Sequence, residues 1–267
     1  MNFTDLVFEK HDGWVRIAFN RPARRNALGD TTTRQLVEAC QDAAADPAVH
    51  VVVITGEGEA FCAGGDFEDT FERGAGRTAA QWAERIRSGP NALVRVLQGM
   101  PKPVVASING IAAGGGATIA LACDLRIASE RARFVFPFAR IGITPEFGAS
   151  YLLPRVVGLG KAMELLLLAD TIDAHAAARA GLVNTVVPHE QLAAATAELV
   201  QRLLDKPAAA LGAIKSLLHR GVADGLDAQL EREATALGAA FTSDEHRSAV
   251  AAFLRRKASR ADAASGM

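Results

Sequence analysis

The chain has 267 residues, and its 49% hydrophobic and 22% charged residues are an ordinary composition for a folded globular protein. Its 29 basic and 30 acidic residues give a net charge of −1, which argues against binding to nucleic acid or to an anionic membrane surface. Charged residues interrupt the apolar stretches well short of the roughly 20 residues that a bilayer span requires.

The first half of the chain alternates between predicted strands and helices. Residues 14–19 alternate in polarity like a strand, and residues 31–45 have the spacing of a helix with one apolar face. Residues 49–55 form a continuous apolar run, which is typical of a strand buried on both faces. The remaining predictions in this half are a strand at 101–108, a small-residue helix at 114–123 and a strand at 124–129.

Residues 66–89 interrupt this pattern with many charges and two glycines. They predict a loop followed by a helix through Trp82 and Ile86, which either covers a pocket or forms a solvated insertion.

The second half is mostly helical. The predicted helices are 161–169, 174–180, 190–204, 208–220, 225–241 and 244–257. We therefore expect an α/β core, residues 1–195, followed by an α-helical C-terminal domain, residues 196–267.

Two glycine segments are the sharpest local features. Residues 109–117, Asn-Gly-Ile-Ala-Ala-Gly-Gly-Gly-Ala, lie where a predicted strand runs into a helix. Such glycines let a ligand approach free N–H groups at the positive end of the helix, which suits an oxyanion or a phosphate. Residues 61–66, Phe-Cys-Ala-Gly-Gly-Asp, place further glycines after a strand, where open α/β sheets bind ligands. Tight packing of the helix on the sheet and a simple turn are the respective alternatives.

Motifs for common cofactors are missing from the sequence. Gly56 and Gly58 begin a dinucleotide fingerprint, but Phe61 stands at its last glycine position. The six histidines lack metal-ligand spacing, and the three cysteines lack Cys-x-x-Cys spacing. We expect a cytoplasmic protein that uses no metal and no cofactor of its own.

Together the two glycine segments resemble the crotonase superfamily, the enoyl-CoA hydratase/isomerase family. The likeness begins at residues 20–22, Asn-Arg-Pro, and extends through residues 181–183, Gly-Leu-Val, into the helical tail. The resemblance implies a crotonase fold, which is a ClpP-like spiral of ββα units with an α-helical C-terminal trimerisation region. It also implies an acyl-coenzyme A (acyl-CoA) thioester as substrate, and a homotrimer or a dimer of trimers.

The resemblance assigns roles to two glycines. In the family the thioester carbonyl lies in an oxyanion hole of two backbone N–H groups, and the matching positions are Gly65 and Gly115. Preorganised donors of this kind stabilise a developing enolate, and losing one typically costs about 3–4 kcal/mol.

The acids of the family's hydratases are missing from this chain. Their positions, two residues after the glycine triplet and after a proline further on, hold Thr118 and Phe138. Neither side chain is a useful general base near neutral pH. We therefore expect poor enoyl hydration, although hydratase remains the alternative that the family name suggests.

One carboxylate, Glu146, stands in a stretch that resembles the family's enoyl-CoA isomerases and its epoxyphenylacetyl-CoA isomerase of phenylacetate breakdown. The resemblance implies that this single acid carries a proton from C2 to C4 of the thioester. Apolar neighbours such as Ile143 and Phe147 would raise its pKa towards neutrality. The alternative is an acid that merely favours a nearby helix N-terminus.

Two further alternatives stay open. The same position holds the carboxylate nucleophile of a related aromatic acyl-CoA dehalogenase, but that pattern has Asp there and Trp where Phe138 stands. The superfamily also includes non-catalytic binding members, although the balanced charge argues against RNA.

The resemblance also implies contacts to the substrate and between subunits. Phosphate or nucleotide contacts of coenzyme A are expected from Arg24, Arg25, Ala63, Arg255, Arg256 and Lys257. An acyl pocket is expected from Phe67, Phe71, Thr118, Phe136, Phe138 and Tyr151. The tail residues Phe241, Val250, Phe253 and Leu254 are expected to form an apolar face for assembly.

Overall fold

The computed structural model describes residues 3–265, without the side chains of Phe71 and of residues 256–265. The strands within this range are β1 Leu6–His11, β2 Trp14–Phe19, β3 Val51–Gly56, β4 Ala60–Cys62, β5 Val104–Ile108, β6 Ile111–Ala113, β7 Leu125–Ser129, β8 Arg133–Val135, β9 Ile172–Asp173 and β10 Thr185–Val187. The helices are α1 Asp30–Ala45, α2 Ala79–Ser88, α3 Pro90–Gly99, α4 Gly115–Ala122, α5 Ala149–Val157, α6 Leu159–Leu167, α7 Ala174–Arg179, α8 Leu192–Leu204, α9 Ala208–Gly221, α10 Leu226–Phe241 and α11 Asp244–Ser265.

The strands form two sheets. The larger has the order β1-β2-β3-β5-β7-β10, and its pairs are parallel except for the β1–β2 hairpin. The smaller has the order β4-β6-β8-β9, and only its last pair is antiparallel within the described residues. Successive strands alternate between the sheets, so that β3 and β4, β5 and β6, and β7 and β8 each form one turn of a spiral. The predicted α/β spiral of ββα units is thereby confirmed.

The central strands of the larger sheet lie in the core. Every residue of β3 and of β5 is buried, which explains the continuous apolar run in the sequence. Helices α1 and α3 pack against each other, and α1 also packs on β1 and β2. Apolar side chains of α1, such as Leu36 and Cys40, are fully buried in the resulting core.

The chain divides into two compact units, Met1–Leu203 and Leu204–Met267. Helix α8 crosses the boundary that the sequence predicts after residue 195, and the hydroxyl of Thr196 on this helix lies 2.8 Å from that of Ser107 on β5. The second unit consists of α9, α10 and α11, in which the N–H of Ala209 donates to Glu245 at 3.2 Å.

Candidate functional site

Two neighbouring strands of the smaller sheet bring the glycine segments together. Strands β4 and β6 are parallel, with Ala60 opposite Ile111, so that the segments following them leave the same edge. A Cβ added at Gly116 would lie 2.4 Å from the carbonyl oxygen of Cys62, and one added at Gly64 would lie 2.8 Å from the oxygen of Ala113. The contact is therefore so close that only glycine fits at these two positions.

The N–H groups of Gly65 and Gly115 are available for a ligand. Gly115 is the first residue of α4, where an N–H has no partner within the helix. The backbone hydrogen bonds found in residues 3–265 include those from Gly114 to Val135 and from Asp66 to Leu28, but none from Gly65 or Gly115. Two free donors on adjacent segments are what an oxyanion hole requires.

An ion pair fixes the segment that contains Gly65. The Asp66 side chain is buried, and Nη2 of Arg21 donates to its Oδ2 at 2.8 Å. Arg21 also donates to the carbonyl oxygen of Ala27 at 2.7 Å. Burial alone would raise the pKa of the Asp66 carboxyl, but the hydrogen bond and charge of Arg21 outweigh burial and hold the pKa below its usual range.

Glu146 lies in the turn before α5, one residue from a contact with the glycine triplet. A Cβ added at Gly115 would lie 2.8 Å from Cε2 of Phe147, so the Phe147 ring packs directly on this glycine. Phe147 and Gly148 have φ angles of 52° and 76°, two successive left-handed residues that turn the chain. For a bulky residue this conformation costs roughly 1–3 kcal/mol, a strain that clusters at functional sites.

The surroundings of Glu146 favour its protonated form. Its side chain is half-buried, and burial raises the pKa of the carboxyl above its usual range against the weaker opposing charge of Arg85. A carboxyl with a raised pKa in a turn that packs on Gly115 is typical of a proton-transfer site.

The two positions that hold acids in the family's hydratases have no proton chemistry here. Thr118 is fully buried in α4, and its hydroxyl donates to the carbonyl oxygen of Gly114 at 3.1 Å. Phe138 is buried in the 3₁₀ helix Pro137–Ile141, and its Cε1 would lie 4.0 Å from a Cβ added at Gly114. Both side chains therefore pack beside the glycine triplet.

A sequence profile of the enoyl-CoA hydratase/isomerase family matches residues 9–261. The chain belongs to this family. It is 36% identical over 258 residues to a crotonyl-CoA hydratase of Syntrophomonas wolfei, with 96% of this chain and 97% of the relative covered. It is also 36% identical over 245 residues to a 1,2-epoxyphenylacetyl-CoA isomerase of Escherichia coli K12, with 92% and 93% covered.

Solved structures of the family share the fold. The crystal structure of an enoyl-CoA hydratase from Bacillus anthracis superposes with a TM-score of 0.89 at 29% identity, covering 95% of this chain and 97% of that one. The predicted crotonase fold is thereby confirmed. The relatives are named as hydratases and as an isomerase, so the family contains enzymes of both kinds.

The structure brings some of the predicted coenzyme A contacts together. The N–H of Ala63 donates to the carbonyl oxygen of Arg25 at 2.9 Å, and Arg24 forms an ion pair with Glu68 on the surface. Arg24 also lines a polar cavity of about 310 Å³. Arg255 is exposed on α11 in the second unit, whereas the side chains of Arg256 and Lys257 lie outside the described part of the structure.

The residues predicted for the acyl pocket fall into two groups. Thr118, Phe136 and Phe138 are buried, and Thr118 and Phe138 lie next to Gly114. Phe67 and Tyr151 are 60% and 46% exposed, and the guanidinium carbon of Arg155 lies 3.4 Å from the centre of the Tyr151 ring. The Phe71 side chain lies outside the described residues.

Sequence reasoning missed the charged residues that surround these segments. Nε of Arg85 lies 2.5 Å from Oδ1 of Asp30, and the N–H of Asp30 donates to Oδ2 of Asp69 at 2.9 Å. A Cβ added at Gly29 would lie 2.3 Å from the same Asp69 oxygen. These partners are 39 and 55 residues apart in the chain, so no local pattern identifies them.

The described residues contain no group of three or more His, Cys, Asp or Glu side chains arranged to hold a metal ion. Across the same residues, every helix is too short or too polar to cross a bilayer.

Proposed function

We propose that this family member is an enoyl-CoA isomerase, in which Glu146 moves a proton between C2 and C4 of a thioester. The N–H groups of Gly65 and Gly115 would hold the enolate oxygen between the two transfers. This narrows the family activity to a reaction that needs one acid rather than two.

The observation that carries the proposal is a single carboxyl in the turn that packs on the glycine triplet. Glu146 adjoins the Phe147 contact with Gly115, whereas the hydratase positions hold the buried side chains of Thr118 and Phe138. Hydration requires an acid and a base to split water, but a double-bond shift requires a single group that removes and returns one proton.

The proposed reaction balances without a co-reactant. The Glu146 carboxylate removes a proton from C2 of a 3-enoyl thioester, and the electron pair moves to the carbonyl oxygen to give a dienolate. The two N–H groups stabilise this negative charge. The protonated Glu146 then donates its proton to C4, the electron pair returns, and the double bond lies between C2 and C3. No metal or cofactor besides the coenzyme A of the substrate takes part.

A raised pKa makes both transfers efficient. A carboxyl whose pKa lies closer to neutrality is a stronger base and, once protonated, still a ready donor. The burial that raises the pKa of Glu146 therefore supports the shuttle.

Substrate binding and assembly follow the family resemblance. Arg24 and Arg25 are exposed cations near Ala63, which supports their proposed contact with the phosphates of coenzyme A. We also propose a homotrimer or a dimer of trimers in the cytoplasm. Its support is a set of exposed apolar side chains in the second unit, namely Ile214, Leu218, Leu226, Leu230, Leu237, Phe241, Val250, Phe253 and Leu254. Light scattering of the purified chain tests the assembly.

The function is tested with two substrates offered separately to the purified enzyme. With a 3-enoyl-CoA we expect the ultraviolet absorbance of a conjugated thioester to appear. With a 2-enoyl-CoA we expect the same absorbance to persist, because hydration is slow. The reaction of the first substrate in D₂O should place deuterium at C4 of part of the product, because the shuttled proton exchanges with solvent between the two transfers.

Variants identify the acid. Glu146→Gln should lower kcat for isomerisation by about 10²–10⁴-fold, the usual contribution of a general acid–base group. Glu164→Gln is the matched control, since Glu164 is an exposed acid on α6 paired with Lys161 at 2.7 Å. Full activity of Glu146→Gln would refute the proton shuttle. Rapid hydration of the 2-enoyl-CoA would identify the protein as a hydratase instead.

A further inference from the structure

Arg85 on α2 makes polar contacts with two other segments of the first unit. Its Nε lies 2.5 Å from Oδ1 of Asp30, and its Nη2 donates to Oγ1 of Thr70 at 3.4 Å. The Arg85 side chain is only 17% exposed. An arginine with two such contacts can fix the segments that it joins.

These contacts lead to the segment that contains Gly65. Asp30 begins α1 two residues after Leu28, which forms an isolated parallel bridge with Gly65. Thr70 follows Gly65 in the chain, and its N–H donates to the carbonyl oxygen of Asp66 at 2.8 Å. Arg85 therefore contacts the two chain segments that lie next to Gly65, one through Asp30 and the other through Thr70.

Trp82 packs the remainder of α2 against the preceding loop. The guanidinium carbons of Arg77 and Arg85 lie 5.0 and 5.6 Å from the centre of the Trp82 ring, within cation–π range. A Cβ added at Gly74 would lie 2.4 Å from Cη2 of the same ring. The orientation of Arg85 is thus fixed by packing as well as by hydrogen bonds.

The charge of Arg85 also reaches the proposed proton shuttle, Glu146. Its positive charge acts on Glu146 and lowers the pKa of that carboxyl, while burial raises it by more. The Arg85 guanidinium therefore acts on the Glu146 carboxyl through its charge and on the Gly65 segment through its contacts.

We propose that Arg85 is a positioning residue, which holds the Gly65 segment in place through its contacts with Asp30 and Thr70 and presents its charge to the Glu146 carboxylate. The inference rests on the proposed role of Glu146. It adds a residue from the charged insertion at 66–89, which the family pattern does not assign.

The charged groups around this contact determine the expected pH dependence. Arg85 faces Asp30 from α1, Arg77 from the loop before α2, and Glu146 from the turn before α5. Asp69 joins the cluster through the N–H of Asp30. Removing the charge of Arg85 should raise the pKa of Glu146 further, because no positive charge of Arg85 then offsets the effect of burial. Since the base must be ionised to remove a proton, activity at low pH decreases.

The test is the pH profile of kcat for isomerisation of a 3-enoyl-CoA by the full-length chain. Arg85→Gln should move the acidic limb of the profile to higher pH and lower kcat with little change in KM. Arg85→Lys keeps the charge and should restore the wild-type position of the acidic limb. It should not restore the full kcat, because the lysine ammonium lacks the planar set of N–H donors that contacts Asp30 and Thr70. Arg87→Gln is the matched control, an exposed arginine on the same helix paired with Glu84.

The outcomes separate this inference from the proposed function. An inactive Glu146→Gln together with an Arg85→Gln whose pH profile matches the wild type would overturn the role of Arg85 alone. A loss of melting temperature in Arg85→Gln with an unchanged acidic limb would also overturn it, since that pattern describes a merely structural residue. Full activity of Glu146→Gln would overturn the proposed function itself.

Discussion

The guanidinium of Arg21 lies 2.8 Å from the carboxylate of Asp66, the residue that follows Gly65. Asp66 is 5% exposed, so the pair is largely shielded from water and from salt. Nε of Arg21 also lies 3.7 Å from Asp5 at the start of the chain's first strand region. This arrangement anchors one side of the proposed oxyanion hole to the N-terminal hairpin.

Removing the charge of Asp66 should therefore affect stability and catalysis together. Asp66→Asn leaves Arg21 without its buried partner, which typically costs about 3–5 kcal/mol for a fully buried pair and less here because Arg21 is partly exposed. We expect a lower melting temperature and a lower kcat with a smaller change in KM. Denaturant unfolding and steady-state kinetics measure both, with Glu38→Gln, an exposed acid on α1 paired with Arg34, as a surface control. Unchanged kcat would show that the pair does not position Gly65.

The pH dependence of stability follows from the same pair. The folded-state pKa of Asp66 lies below its usual range, so its contribution is fully present above the unfolded value of about 4 and is lost as the pH decreases towards the folded value. The difference in unfolding free energy between wild type and Asp66→Asn should therefore shrink below about pH 4. Urea titrations at pH 7, 5 and 3 would measure it. A constant difference across this range would contradict the prediction.

The glycines of the site should differ sharply in their tolerance of a methyl group. Gly116→Ala places a Cβ 2.4 Å from the Cys62 carbonyl oxygen, and such overpacking typically costs about 1–3 kcal/mol or more. A Cβ at Gly65 meets no atom within 4 Å, so Gly65→Ala should change stability by less than about 0.5 kcal/mol. Thermal unfolding of the two variants compares them directly, and equal losses would mean that the segments are not in contact.

Thr118 should be dispensable for the proposed reaction. Thr118→Val removes a hydrogen bond to the Gly114 carbonyl oxygen, which still accepts the N–H of Thr118 at 3.0 Å. The cost should be about 1 kcal/mol or less, because no buried group is left without a partner. Isomerase kcat should stay within a few-fold of the wild type. A loss as large as that of Glu146→Gln would give Thr118 a chemical role.

The thiols should be unreactive in the folded protein. Cys40, Cys62 and Cys123 are buried, and burial raises the pKa of Cys62 to about 12 against a hydrogen bond from the Gly64 N–H. A chromogenic disulfide reagent at pH 8 should therefore label these thiols only as fast as the chain opens. In denaturant all three should react at once. Rapid labelling of native protein would show that the segment around Cys62 opens without unfolding.

Long elements could be predicted from the sequence because their buried apolar residues recur with the period of a helix or a strand. The predicted strand 14–19 coincides with β2, and the predicted helices 208–220 and 225–241 match α9 and α10 within one residue at each end. The helix 244–257 was predicted too short, since α11 extends to Ser265 through an alanine-rich stretch without an apolar face.

Short or irregular elements show no such periodic pattern in the sequence. Strands β4, β6 and β8 have three residues each, too few for a period, and no prediction identified them. Helix α5 contains Pro154, which sequence rules treat as a helix breaker, and it too was not predicted. In the insertion, the predicted helix corresponds to α2, but the separate helix α3 that follows Gly89 was missed.

The candidate site divides in the same way. The glycine segments could be located from the sequence because close backbone contact excludes other residue types. The contacts of Arg85 with Asp30 and Thr70 depend on how distant segments pack, which no local pattern contains. The assignments of Gly65, Gly115 and Glu146 stay predictions, and Glu146→Gln tests the last of them.

The two proposed donors are main-chain groups, and this has a consequence for how the enzyme can change over time. A point mutation at Gly65, where an added Cβ meets no atom within 4 Å, leaves the N–H in place unless the new residue is proline, whereas acids such as Glu146 can be exchanged by one codon change. Selection can therefore replace the proton-transfer groups around the thioester while the binding of its oxygen is inherited unchanged. Relatives named after hydration and after isomerisation are what such divergence would leave behind. For an engineer, the same division marks the side chains around Glu146, rather than the glycine segments, as the positions at which to select a new reaction.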